Sequence, residues 1–171
     1  MKGVLVDKAV LEAVRRTAED AQFRHEVGGI LLGSIRGDYL HIVQATPPQA
    51  EDRFSFTRFW RSASGHQQIA TRAWKASGEI VTYLGEWHSH PERDPSPSSI
   101  DHADWAKQLA KHRRDLVFLI QGMNGLYLAC GRRLGPVTTL QLSVEDEGAV
   151  LWRGGQLSEQ LPSIADTTKF V

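Results

Sequence analysis

The sequence predicts one mixed α/β domain in which a mostly antiparallel central sheet is flanked by helices. Stretches with apolar residues at helical spacing alternate along the chain with short apolar runs that are bounded by glycine or proline. The chain has 171 residues, about the length of one domain, and can bury a sizeable core. Because the two kinds of element interleave, they are expected to pack as layers around one sheet.

Three segments have the periodicity of amphipathic helices: residues 7–23, 61–77 and 99–112. Asp7 is expected to cap the first helix, and Gly78 is expected to end the second. The apolar positions expected to face the sheet are Val10, Leu11, Val14, Ala18 and Ala21 in the first, Ile69, Ala70, Ala73 and Trp74 in the second, and Trp105, Leu109 and Ala110 in the third.

Seven short runs are predicted to be strands: 27–35, 39–46, 80–90, 116–120, 126–131, 137–144 and 149–153. The run LVFLI at 116–120 is apolar throughout, which is typical of a strand buried on both faces. Residues 46–58 contain Pro47 and Pro48 and are interpreted as a loop with an extended edge. The domain is expected to span residues 1–153 and to be followed by a C-terminal tail, residues 154–171.

Charge and composition exclude several function classes. Lys+Arg and Asp+Glu both number 20, so no net charge draws the chain toward nucleic acid or an anionic membrane. The sequence has no apolar run near the ~18 residues of a membrane span and no signal-peptide pattern at its start. The single Cys130 cannot form an internal disulfide and is expected to pack as a small hydrophobe. These features favour a cytoplasmic protein.

The stretch GEWHSHPERDPSPSSIDHADW, residues 85–105, concentrates groups that bind metals. Residues i and i+2 of a strand share a face, so His88 and His90 project together with Glu86. Pro91 ends the strand, and the turn leads into a helix whose first turn carries Asp101. Two imidazoles, one carboxylate oxygen and an open fourth position are the ligand set of a catalytic zinc.

The same residues also fit a purely structural interpretation. Ser98 and Asp101 have the spacing of a capping box, in which both side chains satisfy backbone N–H groups at a helix start. The two interpretations are compatible, because one cap can hold a ligand in place. Glu26, some 60 residues upstream of the histidines, would by itself be interpreted as a solvated residue at a helix–strand junction.

The motif resembles that of the JAMM (MPN-domain) metalloproteases. The resemblance covers roughly residues 1–145 and rests on HSHP, on the ten-residue gap from His90 to Asp101, on Ser98, and on Glu26 in EVGGILLG. The flanking residues resemble the stand-alone bacterial members found in mobile elements and anti-phage operons, including the deconjugating protease of CBASS systems. The resemblance implies a cytidine-deaminase-like layering of the fold.

The resemblance also implies residue roles. His88, His90 and Asp101 would bind Zn²⁺, Glu26 would act as general base, and Ser98 would hydrogen-bond the oxyanion. Two roles stay open. Glu86 is either an outer residue that orients an imidazole or an ordinary strand carboxylate. His102 and Asp104 are interpreted as surface residues, with His102 the better substitute ligand.

The function expected from the resemblance is that of a deubiquitinase-like isopeptidase. It would cleave after the C-terminal tail of a ubiquitin-like modifier or conjugated protein, and in the CBASS version it would detach a cyclic-nucleotide synthase. Two alternatives are the processing of a small sulfur-carrier protein and a catalytically silent MPN scaffold. Silent members lose ligands, which disfavours the scaffold here. The sequence predicts neither the modifier nor the oligomeric state.

Overall fold

The computed structural model describes residues 1–55 and 58–155 of the chain. Its elements follow one another as β1 (Gly3–Asp7), α1 (Lys8–Asp20), β2 (Gly28–Arg36), β3 (Tyr39–Ala45), β4 (Arg53–Ser55), β5 (Arg58–Trp60), α2 (Ala63–Ala76), β6 (Thr82–Ser89), α3 (Ser99–Lys111), β7 (Leu116–Gln121), β8 (Leu126–Gly131), β9 (Val137–Glu145) and β10 (Ala149–Gly154). The predicted tail lies outside the described residues from 156 onward.

Eight strands form one closed sheet in the order β1-β10-β9-β8-β7-β6-β2-β3, and β3 pairs back to β1. The predicted mixed α/β class is confirmed, but the expected mostly antiparallel, cytidine-deaminase-like layered sheet needs correction. The sheet is mixed, because β1–β3 and β6–β7 are parallel pairs. It is also a barrel, and closure removes the free edges that an open layered sheet would leave.

Strand β1 closes the barrel and has no counterpart among the predicted strands. It is five residues long and runs directly into α1, so its residues lack the length and turn signals of a separate element. Its pairing joins Val4 to both Leu40 and Trp152. Asp7 does stand at the N-cap of α1, but its side chain makes no capping hydrogen bond.

The barrel interior holds the main hydrophobic core, and α1 packs against it. Val10, Val14 and Ala18 are buried as predicted from their helical spacing. A smaller cluster forms under α3, where Trp105 stacks on Phe118. The burial predicted for Trp74 and Ala110 is wrong, since both are exposed and α2 and α3 touch the sheet along narrower stripes than expected.

Residues predicted as a loop between 46 and 58 begin a two-stranded sheet. Strand β4 pairs antiparallel with β5, so that Phe54 lies opposite Phe59. This hairpin lies outside the barrel and forms one wall of the cleft described below. No helix among the described residues has the length and apolar character needed to cross a membrane.

Candidate metal centre

Strand β6 brings its two histidines to the end of the barrel. Gly85 adopts φ +151°, and a Cβ there would lie 1.8 Å from the carbonyl oxygen of Val117 on β7. Glycine therefore permits the close approach of the two strands. Beyond this point β6 alternates regularly: Trp87 enters the barrel core, whereas Glu86 and His88 face the cleft under α3.

The antiparallel register of β2 and β6 brings Glu26 to the histidines. Gly28 is the partner of His88, so the chain preceding β2 runs back past His90. Two bonds fix this crossing: the Ser89 amide donates to the Val27 carbonyl at 2.8 Å, and the Val27 amide donates to the Ser89 hydroxyl at 3.1 Å. The pairing of β2 with β6 therefore positions Glu26. Its spacing in the sequence does not predict this position.

Helix α3 contributes the third side of the cluster through its first turn. Ser98 is the N-cap, and its hydroxyl accepts from the Asp101 amide at 3.2 Å. Asp101 Oδ2 in return accepts from the Ser98 amide at 2.7 Å and from the Ser98 hydroxyl at 2.6 Å. The capping box predicted from the sequence is present, and it holds the Asp101 carboxylate toward β6.

The four side chains converge on one point. The Nε2 atoms of His88 and His90 lie 3.0 Å apart. Asp101 Oδ1 lies 3.2 Å from His88 Nε2, and Asp101 Oδ2 lies 3.4 Å from His90 Nε2. Glu26 Oε1 is 3.7 Å from His90 Nε2, and Glu26, His88 and His90 form a buried group whose ligand atoms lie within 4.8 Å of one another. Such a group could hold a metal ion.

The electrostatics of the cluster couple its members. Burial raises the pKa of Glu26, although the two imidazoles oppose the shift. Burial also acts to raise the pKa of Asp101, but hydrogen bonds from His88 and His90 outweigh it, and the pKa falls below its usual range. Burial acts to lower the pKa of His90, and the Asp101 contact reverses this and raises it. The surroundings therefore favour the ionised form of Asp101 and the protonated form of Glu26.

A cleft of about 250 Å³ opens in front of the cluster, between β5 and α3. Glu86 lies in its wall, where its carboxylate is 3.6 Å from Arg61 Nη2. Of the two interpretations of Glu86, the structure favours a strand carboxylate with its own cation. Asp104 binds Arg58 and Lys107, and His102 is exposed on α3, which agrees with their interpretation as surface residues.

The sequence interpretation missed one buried histidine that lies outside the metal cluster. His66 is fully buried on α2, where its Nε2 lies 2.9 Å from Asp52 Oδ2 and its Nδ1 lies 2.7 Å from the Thr46 hydroxyl. Its spacing from Ile69 and Ala70 places it on the apolar face of α2, but histidine was not counted among the apolar residues that predict burial. Cys130 is buried as expected, and burial raises the pKa of its thiol to about 12, so it is no nucleophile near neutral pH.

Residues 7–140 match the family described as prokaryotic homologs of the JAB domain. The chain belongs to this family. The match confirms the resemblance indicated by the HSHP and Ser-x-x-Asp pattern. All residues of the cluster, together with Ser98, lie within the matched part of the JAB domain.

Two curated relatives of this JAB domain share the name CD-NTase/cGAS isopeptidase. The protein of Pseudomonas aeruginosa is 40% identical over 123 residues, which cover 71% of this chain and 78% of the relative. The protein of Escherichia coli is 34% identical over 103 residues, which cover 60% of this chain and 65% of the relative. The name describes an isopeptidase activity of those proteins.

A solved structure resembles the JAB domain in fold. The solution structure of protein DSY2949 from Desulfitobacterium hafniense aligns with a TM-score of 0.56, at 23% identity, over 83% of this chain and 92% of that chain. At that identity the likeness shows the shared fold alone.

Proposed function

We propose that this JAB domain is a zinc-dependent isopeptidase that cleaves after the C-terminal tail of a ubiquitin-like modifier or conjugated protein. Within that class, we propose that it detaches a cyclic-nucleotide synthase from its targets in a bacterial anti-phage (CBASS) operon. The observation that carries the proposal is the 40% identity to a protein named CD-NTase/cGAS isopeptidase. The converging side chains at the end of β6 support it independently.

His88, His90 and Asp101 would hold the zinc ion. Imidazole nitrogens favour zinc over magnesium or calcium, which prefer oxygen ligands. Ligands bound tetrahedrally at about 2.0–2.1 Å lie roughly 3.3 Å apart. The contacts of 3.0, 3.2 and 3.4 Å among these side chains are of that size. A zinc ion bound there would polarise the scissile carbonyl and make water nucleophilic near neutral pH.

Glu26 would move the protons of the reaction. Its carboxylate stands beside His90 and is buried from solvent. Burial raises its pKa, which makes it a stronger base than an exposed glutamate once it is ionised. It would accept a proton from the attacking water and deliver it to the leaving amine.

Ser98 would stabilise the negative charge that develops on the scissile carbonyl oxygen. It is the exposed N-cap residue of α3, next to the cluster, and it contacts Asp101. Its hydroxyl donates to Asp101 Oδ2 at 2.6 Å. To bind the oxyanion, the hydroxyl must release Asp101 and donate to the oxyanion instead. Such a donor contributes on the order of 3 kcal/mol of transition-state stabilisation.

Metal content and cleavage measured on the same preparations test the proposal. The substrate is a cyclic-nucleotide synthase joined through its C-terminus to a reporter protein, and zinc is counted by mass spectrometry. We expect one zinc per chain in the wild type and in Glu26→Gln, with cleavage only in the wild type. We expect His88→Ala to lose both. Full zinc and full cleavage in His88→Ala would contradict the ligand assignment, and zinc without any cleavage by the wild type would contradict the activity.

A further inference from the structure

The cleft in front of the cluster is lined by four basic side chains. Its cationic lining residues are Arg58, Arg61, Lys107 and Lys111, and its acidic lining residues outside the cluster are Glu86 and Asp104. Glu26 and Asp101 belong to the cluster, where a bound divalent cation would balance their two charges. The four basic side chains would then face two acids, a surplus of two positive charges beside the cluster.

The two arginine pairs that cross the cleft are loose. Arg61 Nη2 lies 3.6 Å from Glu86 Oε2, and Arg58 Nη2 lies 3.4 Å from Asp104 Oδ2. Charge-assisted N–H···O bonds are usually about 2.7–2.9 Å long. Asp104 is held more closely by Lys107, at 2.7 Å, so Arg58 shares its acid with a second cation. Neither guanidinium has its binding capacity filled by these contacts.

Arg61 is the better placed of the two arginines to bind a ligand. Its Nε, like that of Arg58, is buried and has no hydrogen-bond partner in the part of the chain that the structure describes. A buried donor without a partner is unfavourable unless a ligand or water supplies an acceptor. The Arg61 side chain also lines three adjoining cavities, namely the cleft, a groove beside Tyr83 and a pocket beside Phe54. A polypeptide that enters the cleft from either outer cavity therefore passes its guanidinium.

Arg58 is held in a fixed orientation on the same wall. Its guanidinium carbon lies 5.0 Å from the ring centre of the half-exposed Trp60. An arginine stacked on an aromatic face loses rotational freedom but keeps its N–H groups in the ring plane available for acceptors. Strand β5 and the residue after it thus present two guanidinium groups to the cleft, and that of Arg58 is stacked on Trp60.

We propose that Arg61, assisted by Arg58, forms a carboxylate-binding subsite that selects substrates with an acidic side chain in the segment next to the scissile amide. Arg61 Nη2 keeps its contact with Glu86, while the guanidinium N–H groups that Glu86 does not occupy donate to the substrate carboxylate. A planar guanidinium matches a carboxylate better than it matches a neutral amide. The subsite rests on the isopeptidase function proposed above and adds the chemical class of the segment that the enzyme prefers.

Paired peptides test the subsite. Each fluorescent peptide is joined through its C-terminal carboxyl group to the ε-amino group of a lysine reporter, with Glu or Gln at one of the four positions before the bond. Binding is measured by fluorescence anisotropy with the Glu26→Gln protein, and cleavage with the zinc-loaded wild type. At one position at least, we expect the Glu peptide to bind about tenfold more tightly than its Gln partner and to show a correspondingly lower KM.

Variants locate that preference. Arg61→Ala should bring the Glu/Gln ratio close to one, Arg61→Lys should restore part of it, and Arg58→Ala should reduce it less. Because Arg61→Ala leaves Glu86 buried without its cation, Arg61→Ala/Glu86→Gln is measured beside it and should give the same ratio. Arg15→Ala removes an equal charge from the exposed face of α1 and should keep the wild-type ratio.

The outcomes separate the two proposals. Peptides that are cleaved and bound without any Glu preference overturn the subsite and leave the isopeptidase function intact. A preference that survives in both Arg61→Ala and Arg58→Ala also overturns it. A preference in binding that Arg61→Ala removes, with no peptide cleaved by the wild type, supports the subsite and counts against the isopeptidase function.

Discussion

Two buried networks of this JAB domain contain imidazole and carboxylate groups, yet their hydrogen bonds are arranged in opposite ways. In the first, around His66, each side-chain nitrogen and oxygen has a partner within the protein. The Ile30 amide donates to the Thr46 hydroxyl, which faces His66 Nδ1, and His66 Nε2 faces Asp52. The remaining Asp52 oxygen accepts from the Ser62 amide at 2.7 Å. This network has no capacity left for a ligand.

In the second network, the polar atoms compete for one point. The Nε2 atoms of His88 and His90 face each other at 3.0 Å, and both face Asp101. Each Nε2 of a neutral imidazole holds either one proton or one lone pair, so at most two of these three contacts can be hydrogen bonds at the same time. Residue types alone therefore do not distinguish a structural network from a binding site. The two networks differ in whether their polar atoms all have hydrogen-bond partners, and experiments can test that difference.

The largest expected effect comes from removing a histidine from the second network. His90→Ala should lower zinc affinity by more than about 100-fold and abolish cleavage, because it removes a ligand that no neighbour replaces. The free energy of unfolding of the metal-free protein should change by less than about 1 kcal/mol, since functional clusters contribute little to stability. Zinc titration and urea unfolding after chelation measure the two quantities. If His90→Ala strongly destabilised the metal-free protein and kept its zinc affinity, the second network would be structural and not a metal site.

The reverse pattern is expected when the first network is opened. His66→Leu removes one hydrogen bond from each of the buried Asp52 and Thr46 side chains and places an apolar group against them, which should cost about 3 kcal/mol in the free energy of unfolding. Zinc content per folded chain should not change. His102→Leu replaces an exposed histidine and should stay within about 0.5 kcal/mol of the wild type. Urea unfolding of both variants checks the difference, and equal stabilities would show that the His66 network contributes nothing.

A smaller effect separates the two roles of Ser98. Ser98→Ala should reduce stability by about 1 kcal/mol through loss of the cap, and reduce kcat by about 100-fold through loss of the oxyanion donor. Ser98→Thr keeps both the cap and the hydroxyl and should restore most of each quantity. Unfolding and steady-state kinetics on the same samples measure them. A loss of stability with unchanged kcat would leave Ser98 with its capping role only.

The sequence predicts those features of the fold and site that are determined by residues close together in the chain. The His88 and His90 pair follows from strand alternation, and the Ser98–Asp101 cap follows from helix-start chemistry, so both were predictable and both are observed. Glu26 came from the family resemblance, because its position depends on the register between β2 and β6. The ligand and catalytic roles of these residues stay predictions.

Features that depend on long-range pairing could not be predicted. Barrel closure rests on β1, whose partners lie some 36 and 148 residues away at Leu40 and Trp152 for Val4. His66 was missed for a related reason: its burial is set by Asp52 and Thr46, which come from the preceding loop and strand end. A lone histidine in an amphipathic helix has no sequence pattern that marks such partners.

The smallest expected effect is the pH dependence of the His66 network, and its sign follows from the hydrogen bonds. The Asp52 carboxylate accepts from His66 Nε2–H, so in the neutral imidazole Nδ1 keeps its lone pair and the Thr46 hydroxyl can donate to it. Burial likewise lowers the pKa of His66 from 6.5, although Asp52 opposes the shift. Above pH 6.5 the imidazole is neutral in both states. Below it, the unfolded chain binds a proton that the folded chain refuses, so stability falls as the pH is lowered.

The slope from this one group is at most about 1.4 kcal/mol per pH unit. His66→Gln isolates it, because a glutamine amide can donate to Asp52 and accept from Thr46 but does not titrate. We expect the stability of the wild type to fall more steeply than that of His66→Gln between pH 6.5 and 5, measured by urea unfolding, with parallel curves above pH 7. If the stability of His66→Gln fell as steeply as that of the wild type, His66 would be protonated in the folded protein over this pH range.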